Sequence, residues 1–96
     1  MTVKVKVRLL GIYRGLCGGS LVSLELEQAT VREAIQKLTS SLSPETKRLL
    51  IDPELDDPRP NALITVNRKE ISTLEGLETP LQDGDELTLI PVSHGG

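Results

Sequence analysis

Thr2-Val3-Lys4-Val5-Lys6-Val7-Arg8-Leu9 alternates apolar and polar residues without a break. A period of two with β-branched residues is the pattern of a half-buried strand. It assigns Val3, Val5, Val7 and Leu9 to a core, and Lys4, Lys6, Arg8 and Leu10 to the opposite face. A second alternation, Val22-Ser23-Leu24-Glu25-Leu26-Glu27, turns Val22, Leu24 and Leu26 inward and Ser23, Glu25 and Glu27 outward. Gly11 to Ser20, between them, holds four glycines and reads as a long turn. Folded as an antiparallel hairpin, the two outer faces set lysines against glutamates, and such cross-strand pairs contribute about 0.2–1 kcal/mol each. A lone hairpin is marginal in water, so its apolar face requires a cover.

The next segment supplies one. Thr30-Val31-Arg32-Glu33 has the form of a capping box, in which the Thr30 hydroxyl accepts from the Glu33 amide and the Glu33 carboxylate reaches back. Val31, Ala34, Ile35, Leu38 and Leu42 follow at helical spacing as one apolar stripe. Ser43-Pro44 restarts a short helix with proline at its first position, and Leu49, Leu50 and Ile51 are its apolar contribution. Asp52 to Asn61, with Pro53, Pro58 and Pro60 among acidic residues, reads as a loop. Leu63-Ile64-Thr65-Val66 is a third strand, Asn67 to Glu70 a turn, and Ile71 a brief return to strand. Thr73 to Pro80 is a connection with room for helical turns. Asp83-Gly84-Asp85 is a tight turn into a last strand, Leu87-Thr88-Leu89-Ile90. The sequence closes on Pro91-Val92-Ser93-His94-Gly95-Gly96. Periodicity alone gives an α+β domain with one helix packed on a mostly antiparallel sheet.

Composition narrows the function classes. Ninety-six residues suit one domain, and Tyr13 is the only aromatic residue, so the core must be aliphatic. A net charge of -3 argues against nucleic-acid binding, which needs a clustered positive face. A single cysteine, Cys17, leaves no internal disulfide framework, and with His94 as the one histidine there is no zinc site. Cys17 reads as an ordinary free thiol, and His94 as a solvated spacer with no acid to orient it. Gly18-Gly19-Ser20 lacks the lysine and following helix of a phosphate loop. Asp56-Asp57, and Asp83 with Asp85, sit in turns and give little sign of a catalytic pair. No apolar run approaches a membrane span and no secretory pattern opens the chain, so the expectation is a cytoplasmic protein.

Pro80-Leu81-Gln82-Asp83-Gly84-Asp85-Glu86, then Leu89-Ile90-Pro91-Val92, then Gly95-Gly96, resembles the MoaD/ThiS family of small ubiquitin-like sulfur carriers. Val7 to Gly19, the Thr30-Val31-Arg32 helix start and Asn61 to Ile71 are also similar to MoaD-like chains. The resemblance implies a β-grasp fold, a mixed sheet of four to five strands with one main helix on one face. It implies a folded body over residues 1–92 and a flexible tail over 93–96. Gly95 and Gly96 carry no Cβ, so such a tail can thread a narrow channel.

The resemblance also implies a chemistry. A carboxylate is a poor electrophile until it is activated. An activating enzyme related to the ubiquitin-activating adenylyltransferases would use ATP to adenylate Gly96, and sulfur from a persulfide donor would replace AMP to give a thiocarboxylate. The chain would then be a co-substrate, not a catalyst, holding no cofactor and no metal. The first expectation is the small subunit of molybdopterin synthase, working with a large subunit; thiamine synthesis and tRNA thiolation are sister roles. A rival from another class is a protein modifier joined to lysines through Gly96, and a third is an interaction module with an inert tail. Partner contact is expected at Leu10, Ile90, Pro91 and Val92. In the β-grasp arrangement the first and last strands are neighbours, and parity puts Leu10 and Ile90 on the outer sheet face.

Overall fold

β1 (Val3–Leu9) lies inside the sheet, paired on both sides. The computed structural model describes residues 2–92. On one side β2 (Leu21–Leu26) forms the antiparallel hairpin, with Lys4 opposite Glu25 and Val5 opposite Leu24. On the other side β5 (Glu86–Pro91) runs parallel, with Leu9 opposite Leu89. β3 (Ala62–Val66) pairs antiparallel with β5, and the two-residue β4 (Lys69–Glu70) closes the edge. The order β2-β1-β5-β3-β4 makes a five-stranded mixed sheet. The helix α1 (Val31–Thr39) packs its stripe on one face of it, and a short α2 (Pro44–Lys47) follows.

The alternation becomes a core. Val5, Val7, Leu9, Leu87, Leu89 and Ile64 are buried on the inner sheet face, against Val31, Ala34, Ile35 and Leu38 of α1. Val3, Val22 and Leu24 are only half-buried and pack at its margin. The charge match predicted for the hairpin is partial. Lys6 faces Ser23, and Arg8 faces Leu21 across β2 but forms its ion pair with Glu86 on β5, 3.3 Å away.

Several local expectations shift. Gly11 to Gly15 is a 3₁₀ helix rather than an open turn, and it buries Tyr13 completely. The Tyr13 hydroxyl lies 3.1 Å from the Leu49 carbonyl and 2.9 Å from that of Asn61, which gives the one buried ring its polar partners. α1 ends at Thr39, whose hydroxyl donates back to the Ile35 carbonyl at 2.9 Å, so Leu42 lies past the helix and is half-buried. Back-bonding of this kind weakens a helix at its end. Leu50 and Ile51 join the core, but Leu49 is exposed. Ile71 is buried and starts a 3₁₀ turn (Ile71–Thr73) instead of a strand, because the Glu70 carboxylate caps the Ser72 amide. The Ser43 cap with Pro44 at the first helical position forms as the sequence predicts.

Candidate functional site

The parallel ladder of β1 and β5 carries the chain's last described residues to one end of the sheet. Leu10 follows β1 there and donates its amide to the Leu89 carbonyl at 3.1 Å. Ile90 follows Leu89 on the outer face. Leu10 and Ile90 are therefore neighbours, as the parity argument requires, but both are half-buried rather than fully exposed. Of the apolar residues around Ile90, the more exposed lie on the β3 side. Leu63 stands directly opposite Ile90 and is 41% exposed, while Val92 beyond it is 45% exposed. Pro91 is half-buried opposite Ala62. Leu63 and Val92 border a groove of about 410 Å³ that continues past Arg59, Ile71 and Gly76.

The other end of the outer face is charged. Thr65, Thr88 and Arg8 share one row, Glu86 and Lys6 the next, with Arg8 reaching diagonally to Glu86, and Lys4 with Glu25 lie beyond. The outer surface thus grades from ionic at the Asp83–Glu86 turn to aliphatic at Leu10, Leu63, Ile90 and Val92. Exposed apolar residues gathered at one spot mark contact surfaces more often than scattered ones do.

The remaining candidates take structural roles. Burial pushes the Cys17 thiol up from its ordinary value, and its Sγ lies 3.6 Å from the Leu38 carbonyl, the setting of an inert thiol. Asp57 is paired with Arg59, whose hydrogen bond holds the carboxyl below the usual carboxylate range. Asp83 accepts from the Lys4 amide at 2.9 Å, and Asp85 from the Gln82 amide at 2.8 Å, so both carboxylates pin the turn before β5. Among the described residues no cluster of His, Cys, Asp or Glu could hold a metal ion. None of the helices described is long and apolar enough to cross a membrane. His94, Gly95 and Gly96 lie outside the described residues.

Sequence reasoning missed Leu63 and Gly11. Leu63 has outer parity in its strand, but its place opposite Ile90 depends on a register between segments 27 residues apart. Gly11 read as one turn glycine among four, although it packs on Pro91.

Comparison with known proteins agrees with this fold. The chain matches the ThiS family over residues 7–96. It is 32% identical over 76 residues to a chain of Archaeoglobus fulgidus provisionally named a sulfur carrier protein, an alignment covering 78% of this chain and 83% of the relative. The structure is similar to that of small archaeal modifier protein 1 from Methanosarcina acetivorans, with a TM-score of 0.84 and 28% identity over 100% of this chain and 99% of that one. It is also similar to a Pyrococcus furiosus chain provisionally named subunit 1 of a molybdopterin converting factor, with a TM-score of 0.72 and 26% identity over 95% and 99% of the two chains. A family match that runs from residue 7 through Gly96, on a β-grasp sheet under one main helix, makes this chain a member of the ThiS family of small ubiquitin-like proteins.

Proposed function

We propose that the chain is a sulfur carrier whose reactive group is the Gly96 carboxylate. The match to the ThiS family through Gly96 carries this reading. A ubiquitin-activating-like adenylyltransferase uses ATP to convert the carboxylate to an acyl-adenylate. The terminal sulfur of a persulfide donor then attacks the acyl carbon and AMP leaves, giving an acyl disulfide. A second thiol cleaves its S–S bond, forms a disulfide with the donor and releases a thiocarboxylate, whose sulfur is nucleophilic near neutral pH. The body contributes docking and no catalysis: Leu10, Ile90, Pro91 and Val92, joined by Leu63, form the contact with the activating enzyme and then with the sulfur acceptor. The proposed pathway is molybdopterin synthesis in the cytoplasm, with the large subunit of the synthase as the second partner. Similarity to the Pyrococcus furiosus chain supports that choice.

Similarity to the archaeal modifier over the full chain supports a second outcome, conjugation of Gly96 to lysines of other proteins. Both outcomes pass through the same adenylate, and the products separate them. Intact mass of the protein from its native cells, and after incubation with the adenylyltransferase, ATP, a persulfide donor and a thiol, tests the carrier reading. The expected result is one oxygen-to-sulfur exchange at Gly96. Lysine isopeptides to Gly96, with no thiocarboxylate at any stage, would replace it with the modifier reading. Gly95→Val is expected to block both products, since a branched side chain stiffens and widens the thread.

A further inference from the structure

Pro91 ends the pairing of β5 with β1. Leu10 N–H donates to the Leu89 carbonyl at 3.1 Å. In a parallel ladder the next bond would run from the residue 91 amide back to the Leu10 carbonyl. Proline has no N–H to give. Its ring lies on Gly11 instead. An ideal Cβ at Gly11 would stand 2.7 Å from Pro91 Cγ and 3.3 Å from Cδ. Gly11 also has φ +56, in the left-handed region that favours glycine. So position 11 resists a side chain twice, by backbone conformation and by the ring above it.

The opposite flank is held by a hydrogen bond. Val92 N–H donates to the Asn61 carbonyl at 3.0 Å. The same oxygen lies 2.9 Å from the buried Tyr13 hydroxyl, which ties it to the core. The chain therefore leaves the sheet between a ring contact and one anchored hydrogen bond.

We propose that Gly11 is a positioning residue: its contact with the Pro91 ring sets the direction in which the backbone leaves the sheet, and so aims the Gly96 carboxylate at the nucleotide of the activating enzyme. This rests on the adenylation reading above. Gly11 touches no reactant and acts through Pro91. Gly11 is not among the docking residues, so disturbing the exit angle through it alters the chemical step and spares binding.

The test is ATP–pyrophosphate exchange with the adenylyltransferase, using Gly11→Ala, Pro91→Ala and the double variant. Either single change is expected to lower kcat by about 10- to 100-fold, because small misplacements of reacting atoms cost that much. KM for the chain is expected to stay within about twofold in Gly11→Ala, whereas Pro91→Ala also trims a docking contact and raises KM. In kcat the second change added to the first is expected to cost nothing more, since the two act through one contact. Pro91→Ala keeps the test alive if Gly11→Ala folds poorly, as it removes the ring and supplies an amide to the Leu10 carbonyl, redirecting the exit at a strand end. A readout free of the enzyme is amide exchange at Val92, expected to quicken about tenfold in either single variant while core amides hold. If the parent supports exchange and both variants match it, Gly11 has no positioning role and the carrier reading stands. A KM effect alone in Gly11→Ala, or additive losses in kcat, would equally overturn the assignment. If the parent supports no exchange at all, the adenylation reading falls and the aiming role with it, and amide exchange still decides whether the ring contact grips the exit.

Discussion

Glu33 accepts three backbone amides in the bend between β2 and α1: Glu27 at 2.9 Å, Gln28 at 2.7 Å and Ala29 at 3.0 Å. The Glu27 bond first, with those of Gln28 and Ala29 and the nearby Lys37 charge, holds its carboxyl below the ordinary glutamate value against the opposing effect of burial. A carboxyl with a depressed folded-state pKa adds stability above its unfolded value, and the gain is lost as pH falls through the folded one. Glu33→Gln should therefore destabilise the domain at neutral pH, where an amide NH₂ would face one of the three donors. The gap to the parent should close as pH falls below the ordinary glutamate range. Urea melts of both chains across that range check this, and a gap independent of pH would count against it. Thr30-x-x-Glu33 announced the cap, and the Thr30 hydroxyl does accept from the Glu33 amide at 3.2 Å. The reach of the carboxylate to residues 27–29 was not legible. It depends on Ala29 taking φ 55, a left-handed turn that alanine does not advertise.

At the scale of elements, the long periodic segments were readable and the short ones were not. β1, β2 and α1 each carry several repeats of one period, so a residue's face follows from counting. β4 has two residues, and the 3₁₀ turns have three to five, too few for any period to show. Their form comes from single side chains, such as Glu70 accepting from the Ser72 amide. The β3–β4 hairpin has a testable flaw. Asn67 and Arg68 have φ 49 and φ 74, the all-positive geometry of a tight two-residue hairpin loop. Asn67 suits it, and its side chain also joins the loop to β5 by donating to Asp85 at 2.9 Å and accepting from the Glu86 amide at 3.0 Å. Arg68 occupies the position where glycine is preferred. Arg68→Gly is expected to raise stability by about 0.5–1 kcal/mol, the strain relieved exceeding the entropy glycine adds to the unfolded chain. Denaturant melts read the sign directly, and a loss would mean that the arginine side chain has a stabilising contact.

Across the whole molecule, the sheet has one covered face and one open face, and the open face is divided by chemistry. Leu10 and Ile90 were legible as neighbours once the first and last strands were taken as adjacent. Leu63 was not, since nothing local fixes β3 against β5 in the register that sets it opposite Ile90. That register matters, because it moves the exposed centre of the apolar surface from Leu10 toward Leu63 and Val92. Leu63→Glu is then the cleaner probe of docking than Ile90→Glu: Leu63 already faces water, so a carboxylate costs the monomer little, whereas half-buried Ile90 also packs. Closing a partner over Leu63→Glu would strip water from a charge with no counter-ion, which is costly. Binding to the adenylyltransferase should weaken by about 10- to 100-fold if one to three kcal/mol of that cost is realised. Leu55→Glu serves as the control. Leu55 is 66% exposed but belongs to the loop after α2 and not to the sheet, so its change should leave affinity intact. Calorimetric titration of the three variants, with thermal melts to verify folding, decides the matter. Equal affinity for Leu63→Glu and the parent would detach docking from the open face, and an equal loss at Leu55 would reduce the effect to general surface charge.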